Sequence, residues 1–362
     1  MIRLILLVII LVGSFLSFQY LRANQVKKIV PSPAQISNLL PSPSPKIILV
    51  QPEISKVIPG RTHVFQTFNN CGPAALSMAL SYYDKNITQE ELGLQLRPFQ
   101  VPGGDNDDKS VTLEELAEKS KEYGFIPFHR PNGNIELMKM FITYDLPIIT
   151  RTLLKENEDI GHYRVIRGYD DLTNELIQDD SMQGKNLRYS FTNFNSLWKK
   201  FNYEYLVLVP GDMVEIAEAI LGEDIDPKIS WQKAVENSQK DLENNPSDLY
   251  ARFNLSIALY HIGDYQGSIQ EFEKVKNDLP FRTLWYQIEP VQAYFAVGDY
   301  TKVFEITDQI LNYHNRAFSE LYLLRGESYL NMDQKDLARA EFEKAVFYNQ
   351  NLQAARSALE NL

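Results

Sequence analysis

One cysteine in 362 residues leaves no second thiol to bridge with, so an internal disulfide and a cysteine zinc finger are both excluded. Positive charge is also scarce: 36 Lys and Arg stand against 47 Asp and Glu, a formal net charge of −11. No basic run exceeds Lys27-Lys28, so no nucleic-acid partner is expected. Histidine is rare, at five. Aromatic residues, by contrast, make up 12%, mostly Tyr and Phe, which suits packed cores. The length fits two compact domains and a tether.

The one cysteine, Cys71, lies in Gln66-Thr67-Phe68-Asn69-Asn70-Cys71-Gly72-Pro73-Ala74-Ala75. A buried small hydrophobe is the plain reading; a nucleophile is the alternative, because reactivity is one reason to keep a lone thiol. The flanks favour the nucleophile. Apolar residues recur at helical spacing from Ala74 to Tyr83, and Pro73 suits a first helical turn. Cys71 is thus expected at a helix N-terminus, where N–H groups and the helix dipole lower a thiol's pKa. Gln66, on the entering loop, can offer its side-chain amide to an oxyanion beside the sulfur.

A thiol nucleophile needs a base. His261 and His314 fall in a helical C-terminal half, and no strand pattern surrounds His63 or His129. His162 differs, because Gly161-His162-Tyr163-Arg164-Val165-Ile166-Arg167-Gly168-Tyr169-Asp170 alternates like a strand. A second short strand, Glu175-Leu176-Ile177-Gln178, runs into Asp179-Asp180. Paired as a hairpin, the two return an aspartate to the imidazole. Nucleophile, base and orienting carboxylate are then all supplied.

These segments resemble the C39-like family of papain-type cysteine peptidases, over roughly residues 61–210. The resemblance rests on Gln66 and Cys71-Gly72-Pro73-Ala74, on the Gly161 to Asp170 strand, and on Asp180-Ser181-Met182-Gln183-Gly184. It implies an α+β papain-like fold with Cys71 as nucleophile, His162 as general base, Gln66 as oxyanion donor and Asp180 as orienting carboxylate. Family members often carry Asp-Pro where this chain has Asp179-Asp180-Ser181. Strand neighbours point to opposite faces, so one of the two aspartates can aim at the imidazole, and the frame from Asp180 fits the family segment better. Some relatives are leader peptidases fused to ABC exporters, but this chain has neither a Walker motif nor a multi-span region. No metal or cofactor is implied.

Leu4 to Leu21 is an 18-residue run without charge, long enough for a membrane helix. The expectation is an uncleaved signal anchor over residues 1–23, with a cleaved signal peptide as the rival. Basic residues flank both ends, so orientation stays open, and the resemblance favours an extracytoplasmic catalytic domain. Residues 24–60 read as a Pro/Ser-rich linker. Thr112 to Glu115 forms a capping box ahead of a helix, and Pro102 to Lys109 reads as a polar surface loop.

From residue 212 the pattern turns all-helical and repeats. Gly263-Asp264-Tyr265 recurs as Gly298-Asp299-Tyr300, 35 residues on. Tyr322, Gly326, Tyr329, Ala338, Phe342 and Ala345 give the fullest match to a tetratricopeptide unit. An all-α tetratricopeptide solenoid over residues 212–362 is expected, folding independently of the peptidase domain at 61–211 and binding a peptide or protein partner. The expected function is a membrane-tethered cysteine peptidase with a thioester intermediate. Acyl transfer to an amine uses the same intermediate, and a catalytically silent papain-like scaffold that binds a partner is the alternative.

Overall fold

A computed structural model describes residues 47–101, 105, 111–313 and 315–362. Its first half is an all-antiparallel sheet with helices on both faces. The elements, in chain order, are β1 (Ser55–Val57), α1 (Cys71–Ser81), α2 (Gln89–Leu96), α3 (Leu113–Lys121), β2 (Ile126–Arg130), α4 (Ile135–Thr143), β3 (Ile148–Leu153), β4 (Gly161–Asp170), β5 (Glu175–Asp180), β6 (Gly184–Ser190), α5 (Phe191–Trp198) and β7 (Tyr205–Val209). The strand order is β2-β7-β3-β4-β5-β6, with β1 on β4.

β4 is buried on both faces, and its alternation divides the core. Tyr163 and Val165 pack with Cys71, Ala75 and Leu76 beneath α1. Ile166 and Tyr169 pack on the other side with Phe141 and Trp198. α3 begins with the expected capping box, Thr112 N donating to Glu115 at 2.7 Å and Glu115 N to Thr112 Oγ1 at 3.1 Å. Of the polar loop expected before it, Pro102 to Lys109, all but Asp105 lies outside the described residues.

The second half continues through α6 (Val214–Leu221), α7 (Pro227–Asn244), α8 (Leu249–His261), α9 (Tyr265–Glu273), the four-residue α10 (Thr283–Tyr286), α11 (Glu289–Ala296), α12 (Tyr300–Tyr313), α13 (Ser319–Asn331), α14 (Lys335–Tyr348) and α15 (Gln353–Glu360). The recurring Gly-Asp-Tyr has a backbone reason. Gly263 and Gly298 adopt φ of +89° and +81°, which glycine reaches most easily, and the following Asp264 and Asp299 cap the next helices. Gly326 lies flush against Phe342, where any Cβ would collide with the ring.

Three expectations are corrected. Membrane localisation is withdrawn: among the described residues no helix is long and apolar enough to cross a membrane. The longest of these helices, α7, has 18 residues but carries Lys228, Lys233, Glu236, Lys240 and Asp241. The apolar run from Leu4 to Leu21, and His314, lie outside the described residues. The linker expected to end at residue 60 ends earlier, because β1 pairs with β4 and Ile58 is buried. Finally, residues 49–362 form one compact unit rather than two independent ones that meet near residues 208–214. Asn202 Nδ2 donates to Asn254 O at 3.2 Å, Lys199 pairs with Asp248 at 2.9 Å, and Asn351 Nδ2 donates to Gln95 O at 2.9 Å.

Candidate active site

α1 is buried along its whole length, which only small residues on its sheet-facing side allow. Gly72 is one of them, since a Cβ there would run into Val111. The close approach delivers Cys71, the first helical residue, to the edge of β4. Asn70 O accepts the first intrahelical bond, from Ala74 N at 2.8 Å, so the amides of Cys71 and Gly72 precede the helical ladder and sit at its positive end.

The entering loop is fixed from behind. Gln89 Oε1 accepts from Thr67 N at 2.9 Å, and Gln89 Nε2 donates to Phe65 O at 2.8 Å. Asn69 takes φ +56°, and buried Arg97 donates to its carbonyl. Gln66 N donates to Ser181 O at 2.9 Å, while Ser181 Oγ donates to Gln66 Oε1 at 2.8 Å. The hydroxyl engages the oxygen of the amide and leaves its NH2 end for the cleft that Gln66 lines.

The hairpin brings His162 and Asp180 together. His162 Nε2 lies 2.8 Å from Asp180 Oδ1, at 1% and 0% side-chain exposure. The same oxygen accepts from Met182 N at 2.7 Å and Gln183 N at 2.8 Å. Cys71 is the second side chain that interacts with the imidazole. Burial works against charge on this ring, but the hydrogen bonds to Asp180 and Cys71 outweigh it and raise the His162 pKa. Burial opposes ionisation of Asp180 likewise, and the His162 bond with the His162 and Arg164 charges holds its pKa below the usual carboxylate range.

Arg164 was not singled out from the sequence. It follows His162 by two on β4, is opposite Asp180 in the register, and its Nε lies 3.3 Å from Asp180 Oδ2. Strand alternation was the available signal, since i and i+2 share a face. Asp179 points the other way, ion-paired with Arg167 Nε at 3.0 Å and accepting from Asn186 N at 2.8 Å. Among the other histidines, His63 Nε2 contacts Asp180 O at 3.0 Å, His129 pairs with Glu204 at 2.7 Å, and His261 stacks on Trp231.

Cys71, His162, Gln66 and Ser181 line a cavity of about 520 Å³, with exposed Phe65, Phe68 and Met182 among its apolar lining. Residues 53–206 match the model of the Peptidase_C39 like family. Over that stretch the chain is similar to the Peptidase_C39 like family. Among solved structures, the chain is similar to a double glycine motif protease from an AMS/PCAT transporter in complex with the leader peptide, at 18% identity and TM-score 0.33. That match covers 44% of this chain and 99% of the other. It is also similar to MamA, at 16% identity and TM-score 0.33, over 36% of this chain and 76% of the other. A third similar structure is a tetratricopeptide repeat protein from Parabacteroides merdae ATCC 43184, at 20% identity and TM-score 0.31, over 40% of this chain and 60% of the other. A search of curated proteins gives no match.

Proposed function

We propose that the C39-like region hydrolyses peptide bonds through Cys71, His162 and Asp180, with Gln66 as oxyanion donor. The observation that carries this reading is the buried His162 Nε2 to Asp180 Oδ1 bond of 2.8 Å, on a ring that also hydrogen-bonds Cys71. The Asp180 bond fixes which nitrogen faces the thiol and favours the imidazolium. Cys71 then reacts as a thiolate beside that cation and the helix N-terminus.

Sγ attacks the scissile carbonyl carbon, and the oxygen's negative charge is received by the Gln66 amide and the Cys71 N–H. His162 gives its proton to the leaving amine as the C–N bond breaks, leaving a thioester. Water then loses a proton to His162 and attacks the same carbon, which releases the carboxylate and regenerates the thiol. Residues 212–362 are assigned as a tetratricopeptide array that presents a peptide or protein to the cleft, and residues 61–211, extended upstream by β1, as the catalytic region.

The test is a mixed unstructured peptide library with the full chain, followed by mass spectrometry with a competing amine added. New carboxyl termini that vanish in Cys71→Ala support hydrolysis. Products carrying the amine would reassign the chemistry to acyl transfer. Intact peptides, together with iodoacetamide labelling that rises only near pH 8.5, would leave a binding scaffold.

A further inference from the structure

The helical region does not keep to paired helices between α9 and α11. There the chain runs through Pro280 and the short α10, and this stretch reaches the catalytic region at three points. Arg282 Nη1 pairs with Asp159 Oδ1 at 2.6 Å. The Tyr286 carbonyl accepts from Arg151 Nη1 at 3.0 Å, and the same guanidinium lies 5.3 Å from the Tyr286 ring centre and 5.1 Å from that of Phe201. Arg151 is itself buried, so the segment is gripped from inside the sheet.

The third point touches the chemistry. The Tyr286 ring occupies the space where residue 161 would carry a side chain: a Cβ on Gly161 would sit 3.2 Å from both Cε2 and Cζ. Gly161 immediately precedes His162, and Tyr286 lines the same cavity as Cys71. The cleft of the C39-like region is therefore incomplete without the helical region.

A second cavity, of about 730 Å³, adjoins the first, and Ile160 lines both. Its walls again come from both regions: Glu156, Ser196 and Lys200 on one side, Tyr250, Pro280 and Phe281 on the other. Lys200 Nζ rests 3.6 Å from the Tyr250 ring centre. Phe281, 57% exposed, packs its ring on Trp285 at the rim of this cavity.

We infer that these two cavities form one composite substrate groove, in which Tyr286 is a specificity-determining residue beside the scissile bond and the second cavity holds the continuing peptide chain. This rests on the peptidase reading above. The occupant is the substrate itself, because Ile160 lines both the second cavity and the cleft in which the bond is cut. Part of the peptide selection then resides in the helical region, about 120 residues downstream of His162 in sequence.

The experiment compares one short reporter peptide, spanning only the scissile site, with a long peptide that extends it at both ends. Full-length wild type, Tyr286→Ala, Tyr286→Phe, Phe281→Ala and Ser196→Trp are assayed, with thermal melts to verify folding. Ser196→Trp fills the second cavity at a half-exposed surface position. It should raise KM for the long peptide by about tenfold relative to the short one. Phe281→Ala should act in the same direction. Tyr286→Ala should change the preferred residue beside the cut by about tenfold in relative kcat/KM, and Tyr286→Phe, which keeps the ring, should change it far less. Equal long-to-short KM ratios in wild type, Ser196→Trp and Phe281→Ala, with unaltered preference in Tyr286→Ala, would overturn the composite groove. Wild type that cleaves neither peptide would instead overturn the peptidase reading.

Discussion

The two halves of the chain treat buried charge in opposite ways. The C39-like region buries Arg97, Arg130, Lys139, Arg151, His162, Arg164, Arg167, Asp179 and Asp180, whereas Glu341 is the one charged residue buried in the helical half among the described residues. An ion removed from water costs several kcal/mol, and a pair seldom repays more than that cost. Such groups are weak evidence for stability, and here His162, Arg164, Arg167, Asp179 and Asp180 all lie on the β4–β5 hairpin. The helical half stabilises itself by apolar contact between neighbouring helices, as where Gly326 admits Phe342. One region has accepted electrostatic cost to hold a chemistry; the other has not.

The comparison breaks most visibly at the reacting atoms. Cys71→Ala should lower peptide hydrolysis by at least about a thousandfold, with an unchanged melting temperature as the check that the fold survives. Next come the adjacent aspartates, measured as kcat alongside denaturant unfolding. Asp180→Ala should reduce kcat by well over about tenfold, because the imidazole loses its orientation. Asp179→Ala should leave kcat within about a few-fold yet strand the buried Arg167, costing about 3–5 kcal/mol of stability. The opposite ranking of the two would reverse their assignment.

Acidity sharpens the same contrast. Iodoacetamide labelling of Cys71 should persist at about pH 6, where an ordinary thiol is less than about 1% ionised, and His162→Ala should return it to an alkaline profile. For stability the signs differ. The raised His162 pKa contributes below its ordinary 6.5 and is lost as pH climbs through the folded value. The depressed Asp180 pKa contributes above its ordinary 3.8 and is lost as pH falls through the folded value. The pair should therefore help most between those two ordinary values, a bell that His162→Ala flattens in pH-dependent melts.

Smaller effects follow in the helical half. Gly326→Ala should cost about 1–3 kcal/mol by overpacking Phe342, with Cys71 labelling rates unaltered. Back in the cleft, Ser181→Ala, which releases the Gln66 amide oxygen, should lower kcat by about a few-fold and leave KM alone, since the amide acts on the transition state.

Legibility followed sequence distance. Cys71 and Gln66 lie five residues apart, and their helix signal is local, so both could be read directly. His162 and Asp180 needed one hairpin; strand alternation said that only one of Asp179 and Asp180 could face the imidazole, and the family segment was needed to choose Asp180. The repeat motif was equally plain, although the reason for its glycines, a positive φ, required the backbone. Arg164 was missed because its role depends on the β4–β5 register. Tyr286 was out of reach, since nothing near Gly161 announces a ring arriving from α10. β1 escaped because three residues in a Pro-rich stretch carry no period.

The single cysteine has a practical consequence. Since Cys71 is the chain's one thiol, a thiol-selective reagent that reaches it modifies a residue lining the cleft and no other side chain. The mass added per molecule is then a direct census of intact cleft centres in a preparation, without the background that other cysteines would contribute.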